Sequence, residues 1–178
     1  MITKIQSESL NLADDFAFTG TITGAGENNN PYFYVVRTSN QSVTSAVFTK
    51  AQYDSVRLDT TSDWDASNYR YTPSVAGKYL FFGNVWTQDG YGEANYHETS
   101  LYKNGSRIVG NIQDGRNAGG VGYGGSSTVV TVQTMNGTTD YVEMYGAIDS
   151  DYVDTLLVIQ GNASVDFTYF GGFLISKT

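Results

Sequence analysis

The chain has 178 residues and a formal net charge of −8, with 10 Lys and Arg against 18 Asp and Glu. One domain of this size buries enough surface to fold without a staple. The shortage of clustered cations excludes a phosphate-backbone binder and disfavours an anionic membrane surface.

Charged residues make up 16% of the chain, against about 25% in an ordinary soluble domain. Polarity comes from Ser, Thr, Asn and 14 Tyr, with 20 Gly and only 2 Pro. Tyr, Val, Thr and Phe fit a pleated surface, so this make-up predicts an all-β fold with many turns. Cys is zero, which removes disulfides, thiolate catalysis and Cys-type zinc sites. No run approaches the 18 or so apolar residues of a membrane span, and Met1 to Leu10 shows no signal-peptide pattern.

Residues 1–30 read apart from the rest. Phe16, Phe18 and Ile22 suggest one short strand, and Ile2, Ile5, Leu12 and Phe16 could also share a helical face. This segment is too small to bury its own apolar surface. It is expected to anchor on another chain or on the main domain. Gly24 to Gly26 and Asn28 to Pro31 mark a boundary, leaving 31–178 as the main domain.

From Tyr32 the pattern is strand, turn, strand. Tyr32 to Arg37 is a β-rich run, and Ala46 to Leu58 holds two short strands. Asn68 to Pro73 leads into Gly77 to Trp86. His97 to Tyr102 and Ser106 to Val109 flank Asn104 and Gly105, a tight-hairpin signal because both residues accept positive φ. Gly110 to Gly125 reads as a long glycine-rich insertion. Ser126 to Met135, Tyr141 to Ile148, Thr155 to Gln160 and Val165 to Ile175 complete the set, with a turn at Asn136 and Gly137. Strands at this spacing without helical runs predict a sandwich or barrel.

The order of motifs resembles the globular head of the first complement component. Tyr71, Pro73, Gly77, Tyr79 and Phe81 follow its aromatic and Pro-x-x-x-Gly-x-Tyr-x-Phe signature. Tyr53 and Asp54 sit at its Phe-Asp pair, and Leu101 to Gly105 at its hairpin. Gly137 to Asp140 before Val142 replaces its Gly-Asp turn. Phe170 to Ile175 is similar to its closing Phe-x-Gly-Phe-Leu-Leu. The resemblance covers about residues 32 to 175. It implies an antiparallel jelly-roll sandwich of about ten strands, shared with tumour necrosis factor, and a homotrimer. The 25 aromatic residues also exceed what one small core needs.

Residues Ile2 to Leu12 and Phe16 to Gly24 resemble segments of tail-fibre and virion decoration proteins of cyanobacterial phages. That resemblance implies an extracellular particle, with other virion structural proteins as partners of the N-terminal segment. With no collagen-like stalk, the immune version of the domain is disfavoured. The leading expectation is a non-enzymatic virion protein: a fibre tip or decoration that attaches to the particle and adheres to a host glycan or protein. The alternatives are a cellular lectin-like or pattern-binding module and a glycan-cleaving enzyme.

The candidate sites follow from residue types. His97 is the single histidine, so any Ser-His-Asp triad or His-based metal site must use it, and no Gly-x-Ser-x-Gly elbow is present. It reads as an ordinary strand residue. Gly120, Gly122 and Gly125 satisfy a dinucleotide spacing, but a strand-like run follows where a helix N-terminus is required, so a mobile surface loop is expected instead. Asp63 and Asp65 form one acidic pair. Asp149, Asp151 and Asp154 form a second cluster, which could gather one structural calcium or simply be solvated turn carboxylates. No other cofactor is expected. Trp64, Trp86, Tyr91, Tyr96, Tyr123 and Tyr152 lie in or near predicted loops; all but Trp86 are taken as candidate receptor contacts, since exposed aromatics stack on sugars and cover protein surfaces.

Overall fold

A computed structural model describes residues 31–90, 94–114, 123–151 and 157–178. The N-terminal segment, Tyr91, Tyr152 and Asp154 lie outside the described residues. In chain order the strands are β1 (Tyr32–Val36), β2 (Gln41–Ser42), β3 (Thr49–Lys50), β4 (Ser55–Asp59), β5 (Trp64–Asp65), β6 (Arg70–Tyr71), β7 (Gly77–Asn84) and β8 (Thr87–Gln88). Then follow β9 (Ala94–Lys103), β10 (Ser106–Asp114), β11 (Gly124–Gly125), β12 (Thr128–Met135), β13 (Val142–Ser150), β14 (Val158–Ile159) and β15 (Tyr169–Lys177). No helix occurs among the described residues.

Two large antiparallel sheets face each other. The first has the order β12-β7-β15-β1-β4, and the second β10-β9-β13-β6-β5, with β3 added along β13. A small sheet, β11-β8-β14-β2, lies alongside. Alternation explains the core. Tyr79 and Phe81 of β7, Phe33 and Val35 of β1, and Phe170 and Leu174 of β15 point inward. There they meet Tyr71, Leu101, Val142 and Met144 of the second sheet. Aromatic rings dominate this layer: Phe33 stacks on Tyr71 with centroids 3.9 Å apart, and Phe170 meets Phe33 edge-on at 4.9 Å.

Most predicted strands occur where alternation placed them. The insertion is corrected at both ends. Gly110 to Asp114 continues β10, and Gly124 and Gly125 are a strand, Gly125 buried, rather than a mobile surface loop. Gly110 belongs in a strand because its bare Cα leaves room for another side chain. A Cβ there would lie 2.7 Å from Glu98 Oε1 and would also strike the Arg107 guanidinium.

Candidate functional site

Among the described residues, no element covers the outward face of the first sheet. Along one row Val132, Leu80, Phe173 and Tyr32 are cross-strand neighbours on β12, β7, β15 and β1. The next row runs Val130, Phe82, Gly171, Tyr34 and Leu58. Val130 is 58% exposed, Leu58 51% and Phe173 43%. Tyr32, Tyr34, Leu58, Phe82 and Phe173 surround a hollow of about 410 Å³ that reaches down to Phe33 and Gly172. Gly171 creates part of it, since a Cβ there would stand 2.7 Å from the Phe82 ring. Polar groups sit at the rim. The Tyr34 hydroxyl donates to Asp166 Oδ2 at 3.3 Å, and Asp166 Oδ1 lies 3.7 Å from Arg57. Burial first, then the Asp166 charge, pushes the Tyr34 phenol up to about 12, so it remains a neutral donor. Contiguous exposed apolar patches of this kind are a recurrent feature of interaction surfaces.

This face was partly legible. In Tyr79 to Phe82 both alternating positions are bulky and apolar, which is the pattern of a strand covered on both faces. The β12 contribution, Val130 and Val132 between threonines, carried no such signal.

The outward face of the second sheet is covered by its own side chains. Glu98 on β9 is 3% exposed and is held by Arg107 of β10 and by the Ser100 hydroxyl at 2.8 Å. The Arg107 guanidinium lies over the Phe48 ring, 5.1 Å from its centroid. Glu143 on β13 is paired by Lys50, whose ammonium also sits near the Tyr145 ring. Tyr145 and Tyr102 pack at 4.2 Å.

Asp149 and Asp151 come together at one end of β13. Asn95 Nδ2 donates to Asp149 Oδ2 at 3.2 Å and to Asp151 Oδ1 at 2.8 Å, and Ser45 Oγ donates to Asp149 Oδ1 at 3.3 Å. Among the described residues no three His, Cys, Asp or Glu side chains are placed to hold a metal ion. Asp63 and Asp65 do not share a ligand. Asp63 accepts from Thr61 Oγ1 at 2.6 Å and from Ser74 N and Oγ, both at 3.0 Å. Asp65 caps the turn at Ser67 and Asn68, accepting three bonds of 2.6 to 3.0 Å.

The aromatic candidates are spread apart. Tyr96 pairs in register with Asp149, whereas Trp64 pairs with Tyr71, in the row that continues through Val142 to Lys103. Those rows are seven residues apart along β9, roughly 23 Å at strand rise. Trp64 packs against Phe33, Tyr53 and Phe170. Trp86 lies against Phe167, with centroids 5.4 Å apart, and against Gly124. Tyr123 is 61% exposed just before β11. His97 is buried on β9 with Nδ1 2.7 Å from Thr87 Oγ1, so the ring offers no face to a substrate.

This architecture is that of the complement-head and tumour necrosis factor class of jelly rolls. The globular domain of zebrafish complement 1qA aligns over 83% of this chain and 98% of its own, with a TM-score of 0.58 and 16% identity. The Eiger TNF of S. frugiperda aligns over 83% and 93%, at 0.59 and 8% identity. Murine APRIL aligns over 81% and 98%, at 0.55 and 13% identity. No protein-family model and no curated protein sequence matches the chain.

Proposed function

We propose that the protein is a non-enzymatic virion structural protein: a homotrimeric fibre tip or decoration that attaches to the particle through residues 1–30 and adheres to a host surface. The observation that carries the self-assembly is the outward face of the first sheet. Its two cross-strand rows are apolar, and the charges nearest them are Arg57 and Asp166 at one side and Lys78 toward the start of β7. A second copy can cover the two apolar rows without burying a charge, leaving Lys78, Arg57 and Asp166 at the edge of the contact. The virion setting rests on the resemblance of the N-terminal segment to phage fibre and decoration proteins.

Light scattering of the full chain should report about three chains per particle. A monomer at micromolar concentration would overturn the assembly. Purified virions should contain the protein, and deleting residues 1–30 should abolish incorporation while leaving the trimer folded. A lectin-like module without a virion role would form the same trimer and fail to incorporate even at full length.

A further inference from the structure

Two strands of the small sheet, β8 and β11, meet β9 at the His97 ring. Thr87 of β8 places its hydroxyl 2.7 Å from His97 Nδ1. Gly125 of β11 lies flat against the same ring: a Cβ on it would stand 2.5 Å from His97 Cδ2 and 2.9 Å from Cγ. The two strands are themselves paired, Gly125 opposite Thr87 and Gly124 opposite Gln88. The ring is 2% exposed, and its buried Nε2 has no hydrogen-bond partner among the described residues. In the neutral tautomer whose proton sits on Nδ1, Thr87 Oγ1 accepts that proton and Nε2 keeps only an unfilled lone pair, a modest cost. An imidazolium costs more, because both nitrogens then carry protons that need acceptors.

We propose that His97 is an acid-operated latch, whose protonation releases the β8–β11 pair from β9 while the two large sheets remain packed. The groups facing the ring decide the sign. β8 presents Thr87, β11 presents Gly125, β10 presents the neutral Gln113, and β13 presents Ile148. Glu98 and Tyr96 project from β9 to the opposite face, where Arg107 holds the Glu98 charge. The one charged group on the ring's side among the described residues is Asp89, fully buried, with the Ser150 hydroxyl donating to it at 2.5 Å. The Asp89 charge favours the imidazolium, but burial of the ring outweighs it and lowers the His97 pKa below the ordinary 6.5. The fold therefore gains its full contribution from neutral His97 above pH 6.5. That contribution is lost as the pH falls through the window beneath 6.5.

The chain supplies its own reporters. With one histidine, the imidazole proton resonance titrates without assignment ambiguity. With two tryptophans, Trp86 rests on Gly124 of β11 while Trp64 sits in the large-sheet core. In the full-length protein, the imidazole should titrate below pH 6.5. The emission of Trp86, isolated by Trp64→Phe, should shift to the red with the same midpoint. The emission of Trp64, isolated by Trp86→Phe, should stay unchanged through that range. In His97→Gln the Trp86 shift should vanish. Titration of the wild-type imidazole with no Trp86 response would overturn the latch, even if His97→Gln fails to fold. So would a simultaneous shift of both tryptophans, which is global acid unfolding, or a Trp86 shift that persists in His97→Gln.

Discussion

Gly110, Arg107 and Glu98 act as one device. The Glu98 carboxylate is buried on a sheet face, and Arg107 reaches it only by crossing the bare backbone of Gly110. Removing the cation leaves a buried carboxylate with the Ser100 hydroxyl as its remaining donor. Arg107→Ala should therefore cost about 1–3 kcal/mol in denaturant unfolding, the Arg side chain being half in water. Arg107→Ala combined with Glu98→Gln should recover part of that loss. Gly110→Ala should behave like Arg107→Ala, since the added methyl displaces the guanidinium. Gly110 also shows why the sequence misled at this point. Glycine is a turn signal in isolation, and nothing local states that a side chain three residues away must pass over it.

Asp54 supplies a pH dependence of opposite origin to that of His97. It accepts from Thr38 N at 2.7 Å, Thr38 Oγ1 at 3.0 Å and Ser39 Oγ at 2.8 Å. Partial burial alone would raise its pKa, but these bonds to the charged form outweigh it and hold the carboxyl below its ordinary value. The stabilisation is present above the unfolded value near 3.8 and is lost as the pH falls through the depressed folded value. Melting temperatures of wild type and Asp54→Asn should differ at pH 6 and converge as the pH falls through that depressed folded value.

At the level of elements, turns with a chemical requirement were the most readable. Asn104 and Gly105 hold φ of 52° and 77°, the paired positive values of a tight hairpin between β9 and β10. Asn104 also ties this hairpin to the next turn: its Nδ2 donates to Asp140 Oδ1 at 2.8 Å, and its Oδ1 accepts from Tyr141 N at 2.9 Å. Gly105→Ala should cost about 1–2 kcal/mol through the left-handed backbone alone. Asn104→Gly should keep the turn and lose the two ties, which a double mutant with Asp140→Ala would separate. Two-residue strands such as β2, β5, β8 and β11 were invisible in the sequence. They have no alternation to detect, and their partners fix them. The acidic corner is similar, because the donor that joins Asp149 to Asp151 comes from Asn95, 54 and 56 residues away. With that donor in place, melting should be equal in millimolar calcium and in chelator. A calcium-specific rise that Asp151→Asn removes would restore a cation site there.

At the scale of the whole molecule, the proposed self-assembly depends on the apolar outward face of the first sheet, which no other described element covers. The aromatic surplus of the composition is resolved by position: Phe33, Tyr71, Tyr79, Phe81 and Phe170 fill the core, while Tyr32, Tyr34, Phe82 and Phe173 line the outward face. Phe173 contributes little to the isolated fold, being 43% exposed, so changing it should leave the sandwich intact. An aspartate there would have to be buried unpaired in each copy of a closed assembly, at several kcal/mol per site. Phe173→Asp should therefore convert trimers to monomers by light scattering while the far-ultraviolet circular dichroism remains that of a β-sandwich. Val132→Asp, in the same cross-strand row, should act likewise, whereas Val47→Asp, equally exposed but off this face, should not. Because assembly stabilises the folded chain by mass action, the wild-type melting temperature should fall on dilution, and that of Phe173→Asp should be lower and independent of concentration. A Phe173→Asp chain that remains trimeric would move the contact to another face of the molecule.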